Sequence, residues 1–287
     1  MTRFEMIKYH GQRYPEDIPL RIEEIASHFD VKEIKGDLEF SLHTEYSYDK
    51  RKFDNLIVIQ FPEVVSAQKD GVPQLWKSEK WALQFAQYLL SLLNGKNAAK
   101  VIEIHPPFND YTDMNSFIKI YSIFEQEIKK YYPDVCILIE NRCGSVYRGG
   151  KFIISKTEDL FRLTDLIARE NLELKIAYDI PQIYTAHNVK RNEQYIELLN
   201  QAKEIREYIG GVHLWGKKKA ESGRRVSHCG DLNTYFEDSQ LKHEFLCAFK
   251  ECFDDDVIRK MVLEVNSGNN DLMSIISDLK SVGVKFV

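Results

Sequence analysis

An eight-stranded α/β barrel of the (β/α)8, or TIM, type is the fold the sequence predicts, and three observations carry that prediction. Short, nearly continuous apolar runs recur along the chain, amphipathic helical segments separate most of them, and several runs end in His, Asp or Glu. Apolar runs of this kind suit parallel strands covered on both faces. Their alternation with helices requires right-handed crossovers and hence a parallel sheet.

The strand candidates are FEMIKY (4–9), VKEIKG (31–36), LEFSLH (38–43), KVIEIH (100–105), VCILIE (135–140), LKIAYD (174–179), GGVHLW (210–215) and KMVLEV (260–265). Residues 31–36 and 38–43 leave no room for a helix between them, and NLIVIQFPEVV (55–65) competes for a strand, so the N-terminal third is the least regular part of the pattern. Helical periodicity marks 18–29, 79–93, 116–132, 157–171, 193–209 and 271–282, while 66–76 and 216–225 read as long loops after strands. No repeat or linker interrupts the chain, and its 287 residues compare with about 250 for a typical barrel, so 1–287 is expected to form a single domain.

Composition narrows the function. A net charge of −5 argues against a broad sequence-independent grip on nucleic acid, so any polyanion must be met by a local patch. The N-terminal twenty residues lack the apolar stretch of a signal peptide, and no run approaches the roughly 20 apolar residues that span a bilayer; the expectation is a cytoplasmic protein away from membranes. Five cysteines without a C-x-x-C pair fit a reducing compartment and leave nitrogen and oxygen as metal ligands.

The chemistry is expected at the strand ends. His105 in VIEIHPP, Glu140 in ILIENR, Asp179 in IAYDIPQ and Glu264 in VLEVNS each close an apolar run, and His213 sits within GGVHLWG. In a parallel barrel these ends converge on one mouth, where carboxylates and imidazoles stay uncompensated unless a cation lies between them. Two histidines with three carboxylates favour Zn²⁺, Mn²⁺ or Fe²⁺ over an all-oxygen Mg²⁺ or Ca²⁺ site. His43, ending an earlier run, is placed to join His105 and Glu140 in a second site bridged by Glu140. The stretch GKKKAESGRRVSH (216–228) follows the His213 run, and its Lys217, Lys218, Arg224 and Arg225 are candidates to meet a phosphate at the mouth.

At these residues the chain resembles the xylose isomerase-like barrel superfamily, and within it the endonuclease IV branch (AP endonuclease family 2). The likeness rests on His43, His105–Pro106, ENRCGSVYRGGKF (140–152), YDIPQ, VHLWG and LEVNS in that order. It implies one metal held by His43, His105 and Glu140 and another held by Glu140, Asp179, His213 and Glu264. The branch's third metal site is incomplete, with Gln182 and Val226 standing where two ligands belong. His228 and Gln182 then become substrate contacts, and Asp231 replaces a lost ligand only if its loop folds back. The implied cofactor is one or two Zn²⁺ or Mn²⁺ ions.

Two functions follow from the resemblance. The first is phosphodiester hydrolysis, on abasic or other DNA, with Glu140 or Glu264 orienting the attacking water. The alternative is isomerisation or epimerisation of a sugar or sugar phosphate, with Glu140 and Glu264 moving a proton on opposite faces of the carbon.

Overall fold

The structure, a computed structural model, describes residues 1–9, 11–27, 34, 39–44, 55–69, 74–93 and 99–287. Eight parallel strands close on themselves: β1 (Arg3–Lys8), β2 (Leu20–Ser27), β3 (Glu39–Thr44), β4 (Val101–Ile104), β5 (Cys136–Glu140), β6 (Lys175–Asp179), β7 (Ile209–Leu214) and β10 (Ile258–Leu263). Closure is made by β1 on β10, with Arg3 opposite Ile258 and Ile7 opposite Val262. A two-residue β11 (Lys285–Phe286) adds to the start of β1.

Three assignments in the first third differ from expectation. Within the helix predicted over 18–29, Leu20–Ser27 is instead strand β2, paired in parallel with β1 and β3, and 28–29 lie outside the described residues. Its charged residues mimic a solvated helix face, but a closed barrel needs backbone partners on both sides here, and that tertiary demand overrides local preference. Residues 55–65 form two short helices, α1 (Asn55–Gln60) and α2 (Pro62–Lys69), with Pro62 at a helix start where its missing N–H costs nothing. The 66–76 loop therefore begins as helix. The proposed strand at 31–36 lies outside the described residues apart from Ile34, which is buried.

From α3 onward the periodicities agree with the structure to within about two residues for α3 (Glu79–Leu93), α4 (Met114–Tyr131) and α5 (Thr157–Glu170), whereas the helix predicted over 193–209 ends five residues early as α7 (Asn192–Glu204), its last residues forming a 3-10 turn and the start of β7; the short α6 (Ile180–Ala186) comes directly after β6. The long interval between β7 and β10 holds an antiparallel hairpin, β8 (Lys217–Lys219) with β9 (Arg225–Ser227), then α8 (Leu232–Phe236) and α9 (Ser239–Cys252). The last helix is α10 (Asn269–Ser281). Among the described residues no helix is long and apolar enough to cross a membrane.

The core lies in two places. The larger cluster fills the space between barrel and helices, while a smaller one containing Ile7, Ile22, Val101, Leu138, Ala177 and Val262 fills the barrel interior. Strand alternation means that residues two further along face the same way. Glu103, Glu140, Asp179 and Glu264 each follow one of these plug residues by two positions, so a polar layer rests on an apolar floor. Gly211 belongs to that floor: a Cβ there would stand 2.8 Å from Leu138 Cδ1, so glycine makes room for the leucine under the site.

Candidate metal centre

The polar layer contains two groups of side chains whose ligand atoms lie within 4.8 Å of one another: His43, Glu103, His105 and Glu140, and then Glu140, Asp179 and His213. Glu140 belongs to both. His105 Nε2 is 2.8 Å from Glu140 Oε2, His43 Nδ1 is 3.2 Å from Glu103 Oε1, and His213 Nε2 is 3.0 Å from Glu103 Oε2. A tetrahedral ion with bonds of 2.0–2.2 Å sets its ligand atoms about 3.3–3.6 Å apart. The His–Glu contacts are somewhat shorter than that, as direct imidazole–carboxylate pairs are, but the grouping of ligand atoms within 4.8 Å and the nitrogen–oxygen donor set suit such an ion, and these buried clusters could hold metal.

Each predicted ligand reaches this layer, with one qualification of position. Glu264 stands beside the second group rather than in it, 3.2 Å from His213 Nδ1 and 3.1 Å from His228 Nδ1. Glu103 is the member that sequence reasoning missed. It sits in mid-strand between apolar neighbours, and the available signal was its two-residue spacing from His105, which puts both on the interior face. Glu24 of β2 adds a further carboxylate, 3.8 Å from His43.

Contacts around the layer hold it in place. Asn141 locks β5 to β6 by accepting from the Asp179 amide (2.9 Å) and donating to the Asp179 carbonyl (3.0 Å). Trp215 Nε1 donates to Asp179 Oδ2 (3.0 Å), and Trp76 Nε1 donates to the His105 carbonyl (2.7 Å) from within a cluster of buried aromatic rings. Gln182 is buried and donates from Nε2 to both Glu140 and Asp179, while Arg142 donates to Glu140. The position that the resemblance marks as a missing ligand thus carries an amide donor aimed at two carboxylates.

Burial sets the electrostatics, and neighbours then divide the site. Burial pushes Asp179 up to about 7, reinforced by the Glu140 and Glu264 charges, and it raises Glu140 as well. It opposes charge on His43 and His213, yet Glu24 and Glu103 around the first, and Glu103 and Glu264 around the second, push both imidazoles well above their ordinary range. His105 goes the other way, driven well down by burial and then by the charges of His43 and Arg142. Against burial, His213 and His228 hold Glu264 well below the usual carboxylate range.

The basic stretch forms the β8–β9 hairpin. Lys219 and Arg225 pair with Glu237 (3.4 and 3.1 Å), Lys218 and Arg224 are exposed, and Lys217 turns inward, donating to Thr185 Oγ1 (2.9 Å). Val226 is 40% exposed on β9, so it does not reach the layer as a ligand would. His228 does, stacking on Trp215 at 4.2 Å while its Nδ1 faces Glu264. Asp231 is the N-cap of α8, accepting from the Thr234 amide and from Ser274, and its carboxylate is committed there.

Gly216 joins β7 to the hairpin, where a Cβ would lie 2.3 Å from the Gly230 carbonyl oxygen. That oxygen is backbone and cannot swing away. Gly216→Ala is therefore expected to displace the base of the hairpin and with it the Trp215–His228 stack. Trp215 fluorescence checks this: an emission spectrum identical to the parent would count against the close approach as drawn.

No protein-family model matches the chain, and no curated protein matches it. Among solved structures it is similar to a xylose isomerase domain protein from Alicyclobacillus acidocaldarius, at 10% identity over 97% of this chain and 96% of that one, with a TM-score of 0.45. An AP endonuclease of family 2 from Brucella melitensis gives 12% identity, 97% of each chain and a TM-score of 0.45. A sugar phosphate isomerase/epimerase from Parabacteroides distasonis gives 11%, 93% and 87%, and 0.40.

Proposed function

We propose that this chain is a divalent-metal-dependent phosphodiester hydrolase working at a two-ion site. The single observation carrying the reading is that Glu140 is shared by two ligand groups, His43–Glu103–His105–Glu140 and Glu140–Asp179–His213. Two ions so held supply Lewis acidity at a phosphoryl group and a water activated near neutral pH.

The chain's own residues do the rest. His43 and His105 with Glu103 form one half of the cradle, and Asp179 and His213 form the other. Arg142 and Gln182 fix the Glu140 carboxylate by donating to it, and Trp215 with Gln182 fixes that of Asp179. Orientation of this kind in the surrounding contacts is commonly worth 10- to 100-fold in metal affinity. Glu264, held between His213 and His228, is the acceptor positioned to orient an incoming water. Exclusion of solvent by the barrel floor strengthens each of these interactions.

Metal content by elemental analysis, run beside cleavage of an abasic-site duplex and turnover of a ketose and sugar phosphate panel, tests the reading. Two Zn²⁺ or Mn²⁺ ions per chain with duplex nicking is the expected result. One ion with sugar isomerisation and no nicking would replace it with an isomerase or epimerase that uses Glu140 and Glu264 as its proton-transferring pair.

A further inference from the structure

Behind Trp215 lies a second pocket of about 200 Å³ whose lining includes Thr185, Asn188, Tyr195, Lys217, Arg225 and Tyr235. Among the described residues no carboxylate lines it. Lys217 enters with its ammonium 5.5 Å from the centres of both the Trp215 and Tyr235 rings and 2.9 Å from Thr185 Oγ1. Arg225 closes the outer side, its Nη2 on Glu237 at 3.1 Å. The Thr185 hydroxyl proton goes to the Pro181 carbonyl and that of Tyr184 to the Tyr195 carbonyl, which leaves two cations, the Tyr195 and Tyr235 phenols and the Asn188 amide around so small a volume, donors of the kind that a phosphoryl group with three acceptor oxygens requires.

The larger cavity, about 370 Å³ between the N-termini of α4 and α5, lacks this bias, because Asp113 and Asp159 face its Lys151, Lys156 and Arg162. The smaller pocket is also tied to the metal centre. Trp215 presents its ring to Lys217 and its N–H to Asp179, so one indole links the pocket lysine to the Asp179 carboxylate.

We infer that the Lys217–Arg225 pocket binds a phosphate group of the substrate other than the one that reacts. This rests on the phosphodiester reading of the metal centre for the identity of the reacting group. It adds that the substrate carries at least two phosphate groups. The second comes either from the backbone of a nucleic acid strand or from the end of a phosphorylated sugar; the pocket chemistry is common to both.

Calorimetric titration of the full-length protein with inorganic phosphate, as purified and after chelation, provides the test, with metal content measured in parallel. The expected result is a phosphate site that survives chelation and weakens roughly tenfold in each of Lys217→Met and Arg225→Met, the loss of one charge-assisted hydrogen bond apiece. Tyr235→Phe, which keeps both cations and the ring packing, is expected to weaken it by a smaller factor and serves if the cation variants misfold. No phosphate bound after chelation, or variants that bind like the parent, would overturn the inference. Displacement of phosphate by an oligonucleotide lacking terminal phosphates assigns the pocket to a strand backbone, displacement only by a sugar monophosphate assigns it to a terminal phosphate, and displacement by neither removes it. Two ions without phosphate binding would leave the hydrolase reading standing, whereas phosphate binding by a chain that takes up no metal would leave the pocket standing alone.

Discussion

Glu140→Gln is expected to lower metal-dependent phosphodiester cleavage by on the order of 10³-fold, about 4 kcal/mol of transition-state stabilisation, and to reduce the bound ions from two per chain to one or none. Glutamine keeps the length and shape of the side chain but replaces one anionic oxygen with an N–H₂ donor. His105, Arg142 and Gln182 all converge on that carboxylate, and each oxygen is taken: Oε2 faces His105 and Arg142, and Oε1 faces Gln182. Whichever way the new amide turns, a donor meets a donor. Steady-state kinetics on an abasic-site duplex with elemental analysis of the same sample reads both effects, and circular dichroism confirms that the barrel persists. Parental cleavage with both ions retained would remove Glu140 from the centre of the mechanism.

The largest expected effect on stability lies at the opposite end of the barrel. Arg259, at 1% exposure, donates twice to Asp255 (2.7 and 2.6 Å), once to the Ile209 carbonyl (3.0 Å) and once to the Arg206 carbonyl (2.8 Å), with its guanidinium over Phe253. It ties the start of β10 to the start of β7. Arg259→Met keeps most of the apolar stem but leaves two buried carbonyls without their donor and the Asp255 carboxylate with only Arg206 (3.4 Å) and the Val257 amide (3.2 Å), at a cost of about 3 kcal/mol, or roughly 10 °C in Tm.

The pH dependence of the same pair has a definite sign. Hydrogen bonds from Arg259 hold the Asp255 carboxyl below its ordinary value, which is near 3.9 in an unfolded chain. The pair's contribution is therefore complete above about pH 4 and is lost as pH falls through the lower folded value. Thermal melts of parent and Arg259→Met between pH 7 and pH 3 should converge on the acid side. Parallel curves across that range would show that the difference does not depend on the Asp255 charge.

Much of the site was legible because a parallel barrel gathers strand ends. His105, Glu140, Asp179 and Glu264 each close an apolar run where a packing residue would otherwise stand, and no knowledge of the third dimension was needed to bring them to one mouth. Glu103 escaped the same reasoning because it lies inside its run, and only the alternation of interior and exterior faces makes it a partner of His43 and His213. Strand β2 escaped because its charged residues follow a helical spacing while its backbone answers to β1 and β3.

Gln182 and the basic stretch show the other limit. A glutamine after DIP signals only a departure from the family's ligand pattern; its donation to Glu140 and Asp179 depends on how α6 leaves β6. Of the cations at 217–225, Lys217 turns inward to Thr185 and Arg225 lines the same pocket while holding Glu237, whereas Lys219 is taken up by Glu237.

By itself, then, the sequence determined the strands from β4 onward and the positions of most strand-end site candidates, since both follow from local periodicity and from a topology with one mouth. The tertiary structure decided that Glu140 is shared by two groups, that Glu103 joins them, and that Lys217 faces a pocket rather than solvent. Those outcomes depend on which side chains from distant strands arrive within hydrogen-bonding distance of one another, a property of strand register and loop path that no single segment carries.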